Sequence, residues 1–204
     1  MTPRKSHGAA VPPARTTRAD ARRNIAAILD AAEDCLVANP DATVAEIASR
    51  AGVGRVTLYG HFPARADLVD AVLQRVTEQA DGVLESVDTG GDPAAALARL
   101  AAASWQIVHR FRAILAAAER ELPPDAIRAR HDRHLARVTA LIERGRDAHE
   151  FRTDMPVEWL VTVAYTLMHA AAAETSAGRL SAADAEHAIV ATLLSAYTPP
   201  GDAS

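Results

Sequence analysis

TVAEIASRAGVGRVTLYGH, residues 43–61, reads as two short helices joined by a tight reversal. Thr43 and Glu46 form a T-x-x-E capping box: the threonine oxygen accepts a backbone N–H three residues on and the glutamate reaches back, so a helix opens here. Val44, Ile47 and Ala48 give that helix an inward face, and the small Ala48 lets a second helix approach closely. Gly52 falls where the chain must reverse, a position at which a left-handed backbone costs a non-glycine residue about 1–2 kcal/mol. Val53 plugs the angle, Gly54 is an acceptable N-cap for the second helix, and Leu58 anchors that helix inward above Phe62. Arg55, Val56, Tyr59 and Gly60, at i, i+1, i+4 and i+5, are left pointing outward. Two helices so arranged are a helix-turn-helix, and an outward second helix of this kind suits a DNA groove.

On the N-terminal side, Ile25, Ile28, Leu29, Ala32 and Leu36 mark one face of a helix that Asn39-Pro40-Asp41 ends. Residues 1–17 carry Pro12-Pro13 among Arg, Thr, Ser and Gly, and are expected to form a flexible basic arm. On the C-terminal side, Leu68, Val72, Val76 and Val83, with Ala80, predict an amphipathic helix, and Thr89-Gly90-Gly91-Asp92-Pro93 breaks it. Leu97, Leu100, Ala101, Ile107, Val108, Ile114 and Leu115 follow in a stretch whose one charge between Ala94 and Val108 is Arg99, which implies burial on most sides. Ile127, Leu135, Val138 and Ile142 trace one long helix after Pro123-Pro124, Val157 to Arg179 another, and Ala182 to Tyr197 the last. No alternating strand pattern competes. The expected fold class is all-α with about nine helices: an arm at 1–17, a three-helix helix-turn-helix domain at 18–66, a connecting helix at 67–84, a larger helical domain at 85–198 and a flexible tail at 199–204.

Composition agrees once charge is located rather than summed. The net charge is −4, yet residues 1–65 hold nine Lys or Arg against six acids while the remainder holds 13 against 20. Residues 1–23 alone carry six bases and one acid, the polarity expected if one end meets phosphates. A merely solvated terminus explains the same charges equally well. Cys35 is the single cysteine and has no partner for a bridge within the chain, which fits a reducing cytoplasm. No signal segment opens the chain and no run of about 18 strongly apolar residues occurs, so a cytoplasmic protein without a membrane partner is expected.

The stretch VTLYGHFPARADLVDAV, preceded by TVAEIASRAGVGR, resembles the N-terminal domain of the tetracycline-repressor (TetR) family of regulators. Ala48, Ala51, Gly52, Val53, Arg55, Thr57, Leu58, Tyr59, Phe62, Arg65 and Leu68 stand in register with the family pattern, over about residues 20–75. The resemblance implies that Thr43, Thr57, Tyr59, His61 and Arg65 hold the DNA backbone. Base reading would fall to Arg55, whose fork fits guanine O6 and N7, and to Val56, which fits a thymine methyl. Gly60 departs from the pattern, where a large residue is common; it removes one base contact and loosens the short helix. Arg18 and Arg22 are expected to add phosphate or minor-groove contacts, against the alternative of a solubilising tail.

The resemblance also implies a small-molecule pocket in the C-terminal helices and a homodimer through the last two. Both last helices are apolar on more than one face, which suits packing across a two-fold axis; deep burial within one subunit is the alternative. For a pocket the chain offers Trp105, His109, Phe111, His131, His134, Tyr165, Met168 and His169. His131 and His134 fall on the stripe of Ile127, Leu135 and Val138, so they face inward. Such histidines are either satisfied core groups or the polar part of a cavity wall. A metal site built on them lacks an evident third ligand, so no metal and no cofactor are expected.

The expected function is a ligand-responsive repressor that binds a near-palindromic double-stranded operator as a dimer and is released by an unidentified small-molecule effector. Two alternatives stand beside it: a DNA-binding regulator without a ligand, and a metal-dependent enzyme using His131 and His134. No nucleophile elbow, phosphate loop or H-E-x-x-H supports the enzyme, and none is expected.

Overall fold

The computed structural model describes residues 14–199, with side chains from residue 20 onward. Nine helices and no strand occur among the described residues: α1 (Ala14–Ala38), α2 (Val44–Arg50), α3 (Arg55–His61), α4 (Arg65–Glu85), α5 (Pro93–Glu121), α6 (Pro124–Ala129), α7 (Asp132–Asp147), α8 (Val157–Ser176) and α9 (Ala182–Tyr197). The arm expected at 1–17 lies mostly outside the described residues, as does the tail beyond Pro199. Residues 14–17, however, belong to α1, because the helix starts as soon as Pro12-Pro13 no longer forbid it.

α1, α2, α3 and the start of α4 form the N-terminal unit around Ile28, Leu36, Ile47, Leu58 and Leu68, each 1% exposed or less. The capping box opens α2 as its sequence dictates: the Glu46 N–H donates to Thr43 Oγ1 at 3.2 Å and the Thr43 N–H to Glu46 Oε2 at 2.6 Å. Gly52 takes φ +68° just past α2, where its N–H bonds Ser49 O at 3.2 Å and the Val53 N–H bonds Ala48 O at 3.1 Å.

α4 buries Leu73, Val76, Thr77, Ala80 and Leu84. Val83, expected on that face, is 55% exposed instead. At this end of α4 the buried face is made by Thr77, Ala80, Asp81 and Leu84, and Val83, about 100° round the helix from Leu84, falls outside it. α5 is the central element, packed against α1, α4, α7, α8 and α9; Asp92 caps it and Pro93 occupies its first turn, where a missing N–H is harmless.

The long helix expected after Pro123-Pro124 is divided into α6 and α7. His131 is the N-cap of α7, with ψ of 1°, so the two helices meet at an angle around it. α8 stops at Ser176 rather than Arg179 because Gly178 turns left-handed at φ +71°. The reversal after α7 is held by the Phe151 ring, which covers Gly145 so closely that an added Cβ would lie 2.1 Å from it. That ring meets Tyr197 edge-on at 5.8 Å between centroids, and the Tyr197 hydroxyl donates to Leu160 O at 2.7 Å, tying the end of α9 to α7 and α8.

Candidate nucleic-acid interface and adjoining cavity

α3 carries the expected outward face. Only Leu58 of its seven residues is buried, whereas Arg55, Val56, Thr57, Tyr59 and Gly60 are all exposed. Val56 is 87% exposed and Tyr59 47%, two apolar groups held in water on a short helix, a placement that favours contact with a further surface. His61 is half-buried at the C-terminal end of α3. Gly60 needs no special backbone and an added Cβ there would meet nothing within 4 Å, so its smallness leaves open space on the outer face. Gly54 caps α3 without a side-chain bond.

Two expected DNA contacts, Thr43 and Arg65, are engaged within the protein. The Thr43 hydroxyl already donates to Glu46 Oε2 at 2.8 Å, and the hydrogen bonds from Thr43 hold the Glu46 carboxyl below the usual carboxylate range. A phosphate at the start of α2 must therefore displace a carboxylate from the same donors. Arg65 is directed into the protein: Nη2 donates to Pro40 O at 2.8 Å, Nε to Ala42 O at 3.3 Å, and Nη1 pairs with Glu121. The Arg65 fork thus joins two carbonyls of the α1–α2 turn to the Glu121 carboxylate at the end of α5, and so holds the helix-turn-helix from inside. Arg22 is exposed on α1; Arg18 lies in α1, but its side chain is outside the described residues.

Behind this unit, α4, α5, α7 and α8 enclose a cavity of about 110 Å³. Phe111, His131, His134, Tyr165, Met168 and His169 all line it, together with apolar residues of α4 and α5 such as Leu73, Val76, Leu100 and Val108. Trp105 and His109 do not. On α5 they sit about a quarter to a third of a turn from the face that carries Leu97, Leu100, Ser104, Val108 and Phe111. Trp105 is fully buried and its Nε1–H donates to Ala182 O at 2.9 Å, so it fastens α5 to the start of α9. His109 stacks beside it at 5.6 Å.

The histidines of the cavity are held from behind. His131 Nδ1 lies 2.8 Å from Ile127 O, His134 Nδ1 3.0 Å from Asp81 Oδ1, and His169 Nδ1 3.2 Å from Glu119 Oε1. Burial pushes His131 and His134 below the ordinary imidazole range, a shift that Asp81 only partly opposes at His134. His131, Tyr165 and His169 pack ring on ring at 4.2–5.7 Å, with the Arg128 guanidinium 5.0 Å over Tyr165. Asp81, 9% exposed, is absent from the sequence-based candidates because it sits on α4, far along the chain. The available signal was an acid beside Thr77 and Ala80 on an otherwise apolar stripe. Among the described residues, no group of three or more His, Cys, Asp or Glu is placed to share a metal ion. No helix among them is long and apolar enough to cross a membrane.

Comparison with known proteins bears on both regions. Residues 28–72 match the family model described as bacterial regulatory proteins, tetR family. Residues of this chain are 41% identical over 75 positions to the HTH-type transcriptional repressor LfrR of Mycolicibacterium smegmatis, a match covering 36% of this chain and 40% of that protein. The chain thus spans less than half the length of the curated relatives it matches by sequence. By fold the likeness is longer. The crystal structure of the TetR-like regulator LfrR from Mycobacterium smegmatis in complex with proflavine aligns with TM-score 0.64 and 27% identity, over 86% of this chain and 96% of that one. FadR from Bacillus subtilis in complex with stearoyl-CoA aligns with TM-score 0.69 over 83% of this chain and 97% of that one, at 15% identity, a likeness of fold alone.

Proposed function

We propose that this chain, a TetR-family transcriptional regulator, binds a near-palindromic operator as a homodimer and releases it when a small molecule occupies the cavity between α4, α5, α7 and α8. The observation that carries the DNA half is α3, which holds Arg55, Val56 and Tyr59 exposed on one side while Leu58 alone fixes it to the core. The proflavine bound by LfrR, in a fold covering most of this chain, supports the ligand half. The connection between them is α4, which begins at Arg65 beside the helix-turn-helix and contributes Leu73, Val76, Thr77 and Ala80 to the cavity wall. A ligand that favours one arrangement of this wall biases the other site by the same free energy.

The dimer rests on α8 and α9. α8 buries Leu160, Val161, Ala164, Met168, Ala171 and Ala172 and keeps Val163 and Leu167 half-buried, yet Trp159 and Ala170 are exposed, and no Asp, Glu, Lys or Arg stands between Trp159 and Ala173. α9 buries Ala185, Ile189, Leu193 and Tyr197, keeps Val190 and Leu194 half-buried against the core and exposes Ala191. Apolar faces on two adjacent helices suit an isologous four-helix contact.

The test is direct. The full chain is titrated into a labelled fragment of the DNA upstream of its own gene and into a scrambled fragment, with its mass followed by sedimentation. A dimer that prefers the native fragment is expected, and Ala170→Glu, on the exposed side of α8, should sediment as a folded monomer and lose that preference. Equal affinity for both fragments overturns the regulator reading; a dimer unaffected by Ala170→Glu overturns the interface.

A further inference from the structure

The polar end of the cavity has a hydrogen-bonding sense that its apolar walls lack. His131 and His134 line it, three residues apart at the start of α7. The Nδ1 of each faces a group with no hydrogen to give, the Ile127 carbonyl at 2.8 Å and the Asp81 carboxylate at 3.0 Å. Such partners require the proton on Nδ1, so in the neutral ring Nε2 is left as an acceptor. Burial keeps both rings neutral near pH 7. Of the two, His134 is the stronger acceptor, because the carboxylate behind it polarises the ring toward Nε2.

Charge does not select a sign here. No Lys, Arg, Asp or Glu is among the described residues that line the cavity, and behind its wall both signs are present. Asp81 pairs with Arg133 at 3.6 Å, the Arg137 charge opposes that of Asp81 at His134, and the Arg128 guanidinium lies 5.0 Å over the Tyr165 ring. An ammonium brings donors to the imidazoles, but its charge meets these arginines as well as Asp81. A carboxylate has the arginines nearby, yet it sets acceptors against acceptors. Either ion also surrenders its hydration to a wall that contains no charged side chain. An uncharged hydroxyl brings the hydrogen that the wall calls for and gives up less water. Its oxygen can accept in turn from the hydroxyl of Ser104 or Tyr165, which line the same cavity.

We propose that the effector is an uncharged single-ring molecule carrying a hydroxyl, a phenol or a cyclic alcohol, whose O–H donates to Nε2 of His134. The inference rests on the cavity being the effector site. Leu100, Val108, Phe111, Leu135 and Val138 form the walls around the ring. A cavity of about 110 Å³ is somewhat below the roughly 150 Å³ that admits benzene, so a single ring enters with slight expansion and a larger body requires the side chains to part. Asp81 is here a positioning residue: it holds the proton on Nδ1 of His134 and reaches the ligand only through that ring.

Calorimetric titration of the full chain at pH 7.5 with phenol, fluorobenzene, benzylamine and benzoate separates the effects. The ring is common, and the substituent is a neutral donor, a near-isostere without a hydrogen to give, a cation or an anion. Phenol should bind at least about tenfold more tightly than each of the others, since fluorobenzene leaves the His134 nitrogen unpaired and the ions lose their hydration. His134→Phe should bring phenol to within about threefold of fluorobenzene while fluorobenzene still binds, which also shows that the variant folds. In imidazole ¹⁵N spectra of the unaltered chain, His134 should carry its proton on Nδ1, and its Nε2 resonance should move when phenol is added. Asp81→Ala should transfer that proton to Nε2 and weaken phenol without weakening fluorobenzene. Fluorobenzene binding as tightly as phenol overturns the hydroxyl assignment and leaves the cavity as a ligand site. Benzylamine or benzoate binding as tightly as phenol overturns the uncharged assignment. A proton on Nε2 of His134 in the unaltered chain, or a phenol preference kept by His134→Phe, overturns the role of that nitrogen. Binding of none of the four overturns the cavity reading itself.

Discussion

At the scale of single residues, two arginines of the same motif are placed differently. Arg55 is exposed on the first turn of α3 and makes no hydrogen bond or ion pair among the described residues; a fork set on a guanine edge would be worth about 1–3 kcal/mol of base discrimination. Arg55→Ala should weaken specific binding by about tenfold or more and relax the preference at one base of each half-site, measured by anisotropy on a set of single-base variants. Unchanged discrimination would remove Arg55 from base reading. Arg65 instead binds Pro40 O, Ala42 O and Glu121. Arg65→Ala should lower the stability of the fold by about 1.5–3 kcal/mol in urea melts yet leave the slope of log K against log salt as it was, because no phosphate charge is lost. A slope shallower by about 1 would return Arg65 to the phosphate contacts.

At the scale of elements, the breaks between helices carry as much information as the helices. The α6–α7 corner is what turns His131 from one member of an apolar stripe into a cap whose ring enters the cavity, while Arg130 beside it donates Nε to Asp70 of α4 at 3.0 Å. The corner after α7 combines a turn motif with a contact: His149 is left-handed at φ 58°, and the N–H groups of His149 and Glu150 bond Arg146 O and Gly145 O, each at 2.9 Å. Gly145 is buried there, and the Phe151 ring occupies the space a side chain would need. Gly145→Ala should force that ring off Tyr197 and destabilise the fold by about 1–3 kcal/mol despite the better helix propensity of alanine, as read from the thermal midpoint. A stabilised variant would show that the ring moves aside freely.

At the scale of the whole molecule, the buried histidines couple stability to pH. His131 and His134 have folded-state pKa values below their unfolded ones, because burial disfavours the charged ring. Above about pH 6.5 both states are neutral and the full stability is present. As the pH falls below that value the unfolded chain takes up protons first, so stability declines. The thermal midpoint should therefore fall between pH 7.5 and 5.5, before the carboxylates Glu46, Asp154 and Glu174, all lowered, begin to titrate, and His131→Gln should reduce the fall. A midpoint constant over that range would contradict the neutral, buried state of these rings.

Much of this architecture is local and so was legible in the chain itself. The T-x-x-E cap, Gly52, the inward Leu58 and the outward Arg55 and Val56 depend on contacts within a few residues, and the bounds of α9 follow from its own periodicity. Helical class, the helix-turn-helix and its family likeness were therefore determined by sequence alone. Tertiary structure decided what depends on groups far apart in the chain. It turned Arg65 toward Glu121, fastened Trp105 to Ala182 and away from the cavity, broke the helix at His131, and brought Asp81 to His134, 53 residues on. The physical reason is that a helical pattern specifies which face of an element is buried but not which partner covers it. The chemistry of the cavity lies in those partners.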